Sequence, residues 1–89
     1  VPETRVVFYK EKDGSVPALK WLDDIPPKAR LKCIERIERL KQEGHELRRP
    51  EADFLRDRIY ELRSSLGGIH YRLLYFFHGN IAAGCRMGL

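Results

Sequence analysis

The order of elements along the chain predicts an α+β fold, with two N-terminal helices packed on a small antiparallel sheet. Three observations carry this expectation. Arg5 to Tyr9 reads RVVFY, β-branched and aromatic, and the turn signal Asp13-Gly14 follows it. Residues 15–43 then carry apolar side chains at helical spacing, broken only at Pro26-Pro27. From Arg58 onward, strand-like runs alternate with glycine-bearing turns.

The first strand is assigned to Arg5–Tyr9. Ser15 offers an N-cap and Pro17 is tolerated in a first turn, so a short helix begins there. Its apolar face is Ala18, Leu22 and Ile25, flanked by Leu19 and Trp21, and Pro26-Pro27 ends it. A second helix is expected from Lys28 to Glu43. Leu31, Ile34, Ile37 and Leu40 form a wide apolar stripe joined by Cys33, and Gly44 supplies the stop. Lys28, Lys32, Arg36 and Arg39 occupy the opposite side. The spacings Glu35 to Arg39 and Arg39 to Glu43 suit ion pairs along a solvated helix face.

His45 to Asp57 reads as a long polar connection, pinned by Leu47, Phe54 and Leu55. RIYELR (58–63) is the next strand and SSLGG (64–68) its hairpin loop. IHYRLLYFFH (69–78) is the strongest strand. Its continuous apolar stretch suggests a central strand covered on both faces. Gly79-Asn80 is a second turn, and Ile81 starts a weak strand that dissolves into glycine.

At 89 residues the chain is one domain, 1–89, with a single modest core. Hydrophobic residues make up 43% of it, which argues against disorder. The net charge of +4 suits an acidic partner such as RNA, DNA or an acidic protein. From Leu62 to Leu89 there are three arginines (Arg63, Arg72, Arg86) and no acid, so the excess sits at the C-terminal end. Cys33 and Cys85 match no zinc spacing and make no disulfide framework. No apolar run approaches the roughly 20 residues that span a membrane, and no signal peptide opens the sequence. The expectation is a cytoplasmic protein without metal or organic cofactor.

The stretch LRRPEADFLRDRIYELRSSLGGIHYRLLYFFH, Leu47 to His78, resembles the HigB-type toxins, the phage-derived branch of the RelE/ParE superfamily. IYELR, a short glycine-bearing loop and HYRLLYFF carry the likeness, and the helix pair at 15–43 sits where that family has its two helices. The resemblance implies a RelE/ParE-like fold and a ribosome-dependent mRNA endoribonuclease, the toxin of a type II toxin–antitoxin system. It also implies a cognate antitoxin, often a helix-turn-helix protein.

Metal-independent RNA cleavage requires deprotonation of the 2′-OH, stabilisation of a pentacoordinate phosphate and protonation of the 5′-oxygen. A guanidinium fork suits the second task. By resemblance, Tyr71-Arg72 matches an arginine that follows a tyrosine on the strand after the loop, and Arg63 matches a basic position before it. His70, on the Arg72 side of its strand, is the acid–base candidate, since imidazole changes charge near neutrality. Lys32, Arg36, Arg48 and Arg49 are candidates for RNA contact. Tyr71, Tyr75 and Phe77 alternate in period two, as a buried sheet face requires.

The chain departs from the family near its end. Ile59 and Glu61 stand where related enzymes carry lysines, and IAAGCRMGL replaces a further strand, basic residues and a C-terminal helix or tail. The expectation is a C-terminally shortened toxin, weakened or inactive. A missing strand would expose the edge of the 69–78 strand and favour homodimerisation. The alternative is a non-catalytic ParE-like or truncated toxin that acts by binding an antitoxin or another protein.

Overall fold

The computed structural model describes residues 4–88, with side chains through residue 84. The elements run β1 (Arg5–Phe8), α1 (Pro17–Asp24), α2 (Pro27–Glu43), a 3-10 turn (Gly44–Glu46), β2 (Ala52–Arg56), β3 (Ile59–Leu66), β4 (Ile69–His78) and β5 (Ile81–Gly88). The expected α+β order is present. The sheet, however, is mixed rather than antiparallel. Its strand order is β1-β5-β4-β3-β2, and β1 runs parallel to β5.

Both helices begin on a proline, where the missing N–H would have had no intrahelical partner anyway. Ser15 does not cap α1; Val16 holds that position without a side-chain cap. The Ser15 N–H and hydroxyl instead donate to Asp13 Oδ1 at 2.9 and 2.7 Å, closing the loop after β1 and holding the Asp13 carboxyl below its usual range. Gly44, with φ +53°, ends α2, and a side chain there would run into Thr4.

The core lies between the two helices and one face of the sheet. Ala18, Leu22, Ala29, Cys33, Ile37 and Leu40 meet Leu62, Tyr71, Leu73, Tyr75 and Ala82. Leu40 and Tyr75 are the largest fully enclosed side chains, each worth roughly 1.5–3 kcal/mol of burial. Two members of the expected stripe on α2 are not in the core: Leu31 is 67% exposed and Ile34 is also exposed. A helix lying on a sheet buries one narrow stripe, and the smaller Ala29 and Cys33 occupy it.

Two strands depart from the sequence reading. The 45–57 connection contains β2, which pairs with β3 through Ala52↔Leu62, Asp53↔Glu61 and Phe54↔Tyr60 before a bulge. β5 is a full strand, hydrogen-bonded to β4 on one side and β1 on the other. The expected open edge on β4 is therefore absent: β3 and β5 flank it, and the sheet's edges are β1 and β2. The small residues of β5 follow from packing. A Cβ on Gly84 would stand 3.0 Å from the Phe8 ring, and Ala82 is fully enclosed.

Among the described residues, β4 is covered on one face only. Tyr71, Leu73 and Tyr75 point at the helices, whereas Arg72, Leu74 and Phe76 lie on the other face, with Phe76 37% exposed. Among the described residues, no helix is long and apolar enough to cross a membrane.

Candidate active site

The face of the sheet turned away from the helices is graded along its strands. At one end, the row Val7, Ala83 and Phe76 is apolar. The next row brings Leu74, Glu61 and Asp53 side by side. Beyond it Arg63 and Arg72 are direct cross-strand partners, and at the hairpin end Ser65 meets His70. The two-residue turn Gly67-Gly68, both glycines at positive φ, fixes this register. Leu66 pairs with Ile69, so Arg63 must pair with Arg72.

Glu61 organises the arginine pair. Its carboxylate is 2.7 Å from Arg72 Nε and 3.9 Å from Arg63 Nε. The Glu61 side chain is only 12% exposed, while Arg63 and Arg72 keep 39% and 41% of theirs in solvent. Two cations that would repel at cross-strand distance are thus held together by one largely enclosed anion. The shorter contact of Glu61 is the diagonal one, to Arg72.

Arg36 reaches this region from α2. Its Nε donates to the Arg63 carbonyl at 3.1 Å, and its Nη1 lies 3.6 Å from Glu35. The contact completes the β3 edge where β2 stops. The Arg63 N–H donates to Glu51 O at 2.7 Å, and beyond that point β2 offers no further partner. Arg36, Pro50, Arg63, Ser64, Ser65 and His70 enclose a surface depression of about 180 Å³.

The remaining RNA-contact candidates divide. Arg49 joins the site's margin: Nη2 lies 2.8 Å from Asp53 Oδ2, and its guanidinium holds that carboxyl below the ordinary range. Arg48 turns back onto the carbonyls of His45 and Leu47. Lys32 is exposed one turn before Arg36 on α2. Arg39 pairs with Glu43 at 2.5 Å, the helix ion pair that the spacing suggested, and approaches Glu51 at 3.6 Å. His45 stacks on Phe77 with ring centroids 3.7 Å apart, a structural contact that ties the end of α2 to β4.

The arrangement therefore brings together Arg63, Arg72, His70 and Arg36 from the sequence candidates. It adds Glu61 and Ser65, which period-two alternation from Arg63 could have identified once the strand was extended to Leu66, and Asp53, which only the pairing of β2 with β3 brings in. Chemically the face offers guanidinium donors for an anion, an imidazole and a fixed carboxylate. Among the described residues, no cluster of three His, Cys, Asp or Glu side chains is placed to hold a metal ion.

Among known families, the model described as phage-derived protein Gp49-like (DUF891) matches residues 20–83, from within α1 to the start of β5. No curated protein matches the chain.

Proposed function

The chain belongs to the phage-derived Gp49-like family, and from that premise we propose that it is the toxin of a type II toxin–antitoxin system, with a HigB-like, RelE/ParE-like fold and a ribonuclease site on its open sheet face. The observation that carries this reading is the cross-strand pairing of Arg63 with Arg72, two residues along β4 from His70 on the same face. The match takes in the second half of α1, all of α2 and the hairpin that bears these residues.

The chemistry is strand scission of mRNA held on the ribosome. The 2′-oxygen attacks the adjacent phosphorus as His70 takes its proton. Arg63 and Arg72 bind the non-bridging oxygens and stabilise the charge that grows on them. The P–O5′ bond breaks, the 5′-oxygen takes its proton from water, and the hydroxide so formed takes the proton held on His70, which restores the neutral imidazole. The products are a 2′,3′-cyclic phosphate and a 5′-hydroxyl end. These side chains can carry the sequence without a metal. Glu61 acts as a positioning residue that sets the separation of the two guanidinium groups. Lys32, Arg36, Arg48 and Arg49 supply the wider basic surface toward RNA. The proposed partners are a cognate antitoxin, probed by co-purification with the neighbouring gene product, and ribosome-bound mRNA.

One observation favours a second reading, a non-catalytic toxin that acts by binding a protein. Arg72 already lies 2.7 Å from a carboxylate, and a substrate phosphate has to compete with it. Induced expression in bacteria separates the two. The nuclease reading requires growth arrest and new mRNA 5′ ends that disappear in Arg72→Ala. Arrest that persists in Arg72→Ala without new ends would establish the binding reading instead.

A further inference from the structure

We propose that the depression beside the arginine pair is a second phosphate subsite, which holds the phosphate next to the scissile one in single-stranded RNA. This rests on the reading of the open face as an RNA site. Arg36, Pro50, Arg63, Ser64, Ser65 and His70 line the depression. Clefts that enclose a whole small molecule run upward from roughly 300 Å³. At about 180 Å³ this one takes a single group, not a nucleotide.

The lining chooses which group. Two guanidinium side chains, an imidazole and the exposed hydroxyl of Ser65 face the space, and among the described residues no carboxylate lines it. Glu61 and Asp53 lie on the far side of Arg63, in the next row of the sheet. The Ser64 hydroxyl is turned inward, 3.2 Å from Cys33 Sγ, so it does not compete for a ligand. Such a donor-rich pocket fits a phosphate oxyanion, whose oxygens only accept, better than the Watson–Crick edge of a base, which presents donors as well as acceptors. The proline forms an apolar wall, and the Arg36 Nε contact to the Arg63 carbonyl fixes the geometry of one guanidinium.

The subsite also lies in the direction a strand would take. Ser65 lies two residues after Arg63 on β3 and His70 two residues before Arg72 on β4, each one step toward the hairpin end on the same face. A backbone running from the arginine pair toward the hairpin end passes over the depression. Arg63 borders both positions and links them.

The test is binding of uncleavable 2′-O-methyl dinucleotides, plain or with a terminal phosphate at the 3′ or the 5′ end, read by calorimetry at low salt. A terminal phosphate at one end should raise affinity about tenfold or more, the usual effect of a charge-assisted contact. Ser65→Asp, an exposed position, should abolish that gain, and Ser65→Lys should keep or increase it, the gain being read in each variant as the ratio of phosphorylated to plain dinucleotide affinity. If neither phosphorylated dinucleotide binds better than the plain one, the subsite is wrong while the RNA reading stands. If the gain is the same in Ser65→Asp and Ser65→Lys, the phosphate sits elsewhere and the proposal fails. If no dinucleotide binds in any form, both the subsite and the RNA reading fall.

Discussion

Glu61→Gln separates what the carboxylate does for the fold from what it does for the ligand. In the native protein one carboxylate, 12% exposed, faces two guanidinium groups at 2.7 and 3.9 Å. Glutamine keeps the size and removes the charge. A fully exposed ion pair contributes about 0–1 kcal/mol, and breaking a buried one costs about 3–5 kcal/mol. The enclosed carboxylate with two arginines about 40% exposed falls between, so the loss should be roughly 1–3 kcal/mol. For a domain of this size each kcal/mol lowers Tm by about 4–8 °C. The same change should strengthen the hold on RNA, because phosphate no longer competes with a carboxylate for Arg72. One additional neutralised phosphate steepens the log Kd against log salt slope by about 0.7 on a single strand. Urea denaturation reads the first effect, and anisotropy of an uncleavable oligonucleotide at several salt concentrations reads the second. Unchanged stability together with an unchanged salt slope would refute the idea that Glu61 binds the arginine pair together.

Other positions give independent checks. The two-residue turn between β2 and β3 holds Asp57 and Arg58 at φ +51° and +65°, so Asp57→Asn with Arg58→Gly should stabilise the protein by roughly 1 kcal/mol; a fall in Tm would contradict the turn geometry. Gly84→Val should destabilise by roughly 1–3 kcal/mol through its clash with Phe8, and a variant as stable as the parent would mean that β1 does not pack there. Burial pushes the Tyr75 hydroxyl up to about 12 from an ordinary value of 10.0. The unfolded chain ionises first as pH rises, so this stabilisation is whole below pH 10 and is lost between about pH 10 and 12. Tyr75→Phe should show a shallower alkaline decline by urea titration, and identical declines would count against the buried position.

Much of this fold is legible in the sequence, and the misses have physical causes. β4 is readable to its ends because alternation, aromatic content and flanking glycine turns agree. β2 escapes because an edge strand of five residues needs only one buried position, Ala52, and its remaining side chains read as loop. β5 reads as weak because its inward positions are small. The volume above Gly84 and beside Ala82 is filled by Phe8, Tyr75 and Phe77, which lie elsewhere in the chain. The Leu31 and Ile34 misassignment has the opposite sense, since periodicity marks apolar positions but not how wide a stripe the sheet can cover. At the site, taking Ser64–Gly68 as a loop hid the register. Extending β3 to Leu66 leaves a two-residue turn and sets Arg63 against Arg72. Arg36 at the β3 edge is a tertiary contact across 27 residues, and no local pattern announces it.

The most direct measurement is the chemistry of the cut end. Purified protein is incubated with mRNA on ribosomes, and the fragment termini are assigned by enzymatic end-labelling. The expected result is 2′,3′-cyclic phosphate and 5′-hydroxyl ends, formed by the native protein, lost in Arg72→Ala and strongly reduced in Arg63→Ala. Intact mRNA with folded native protein, or cleavage that survives both substitutions, would contradict a nuclease site built on the Arg63–Arg72 pair.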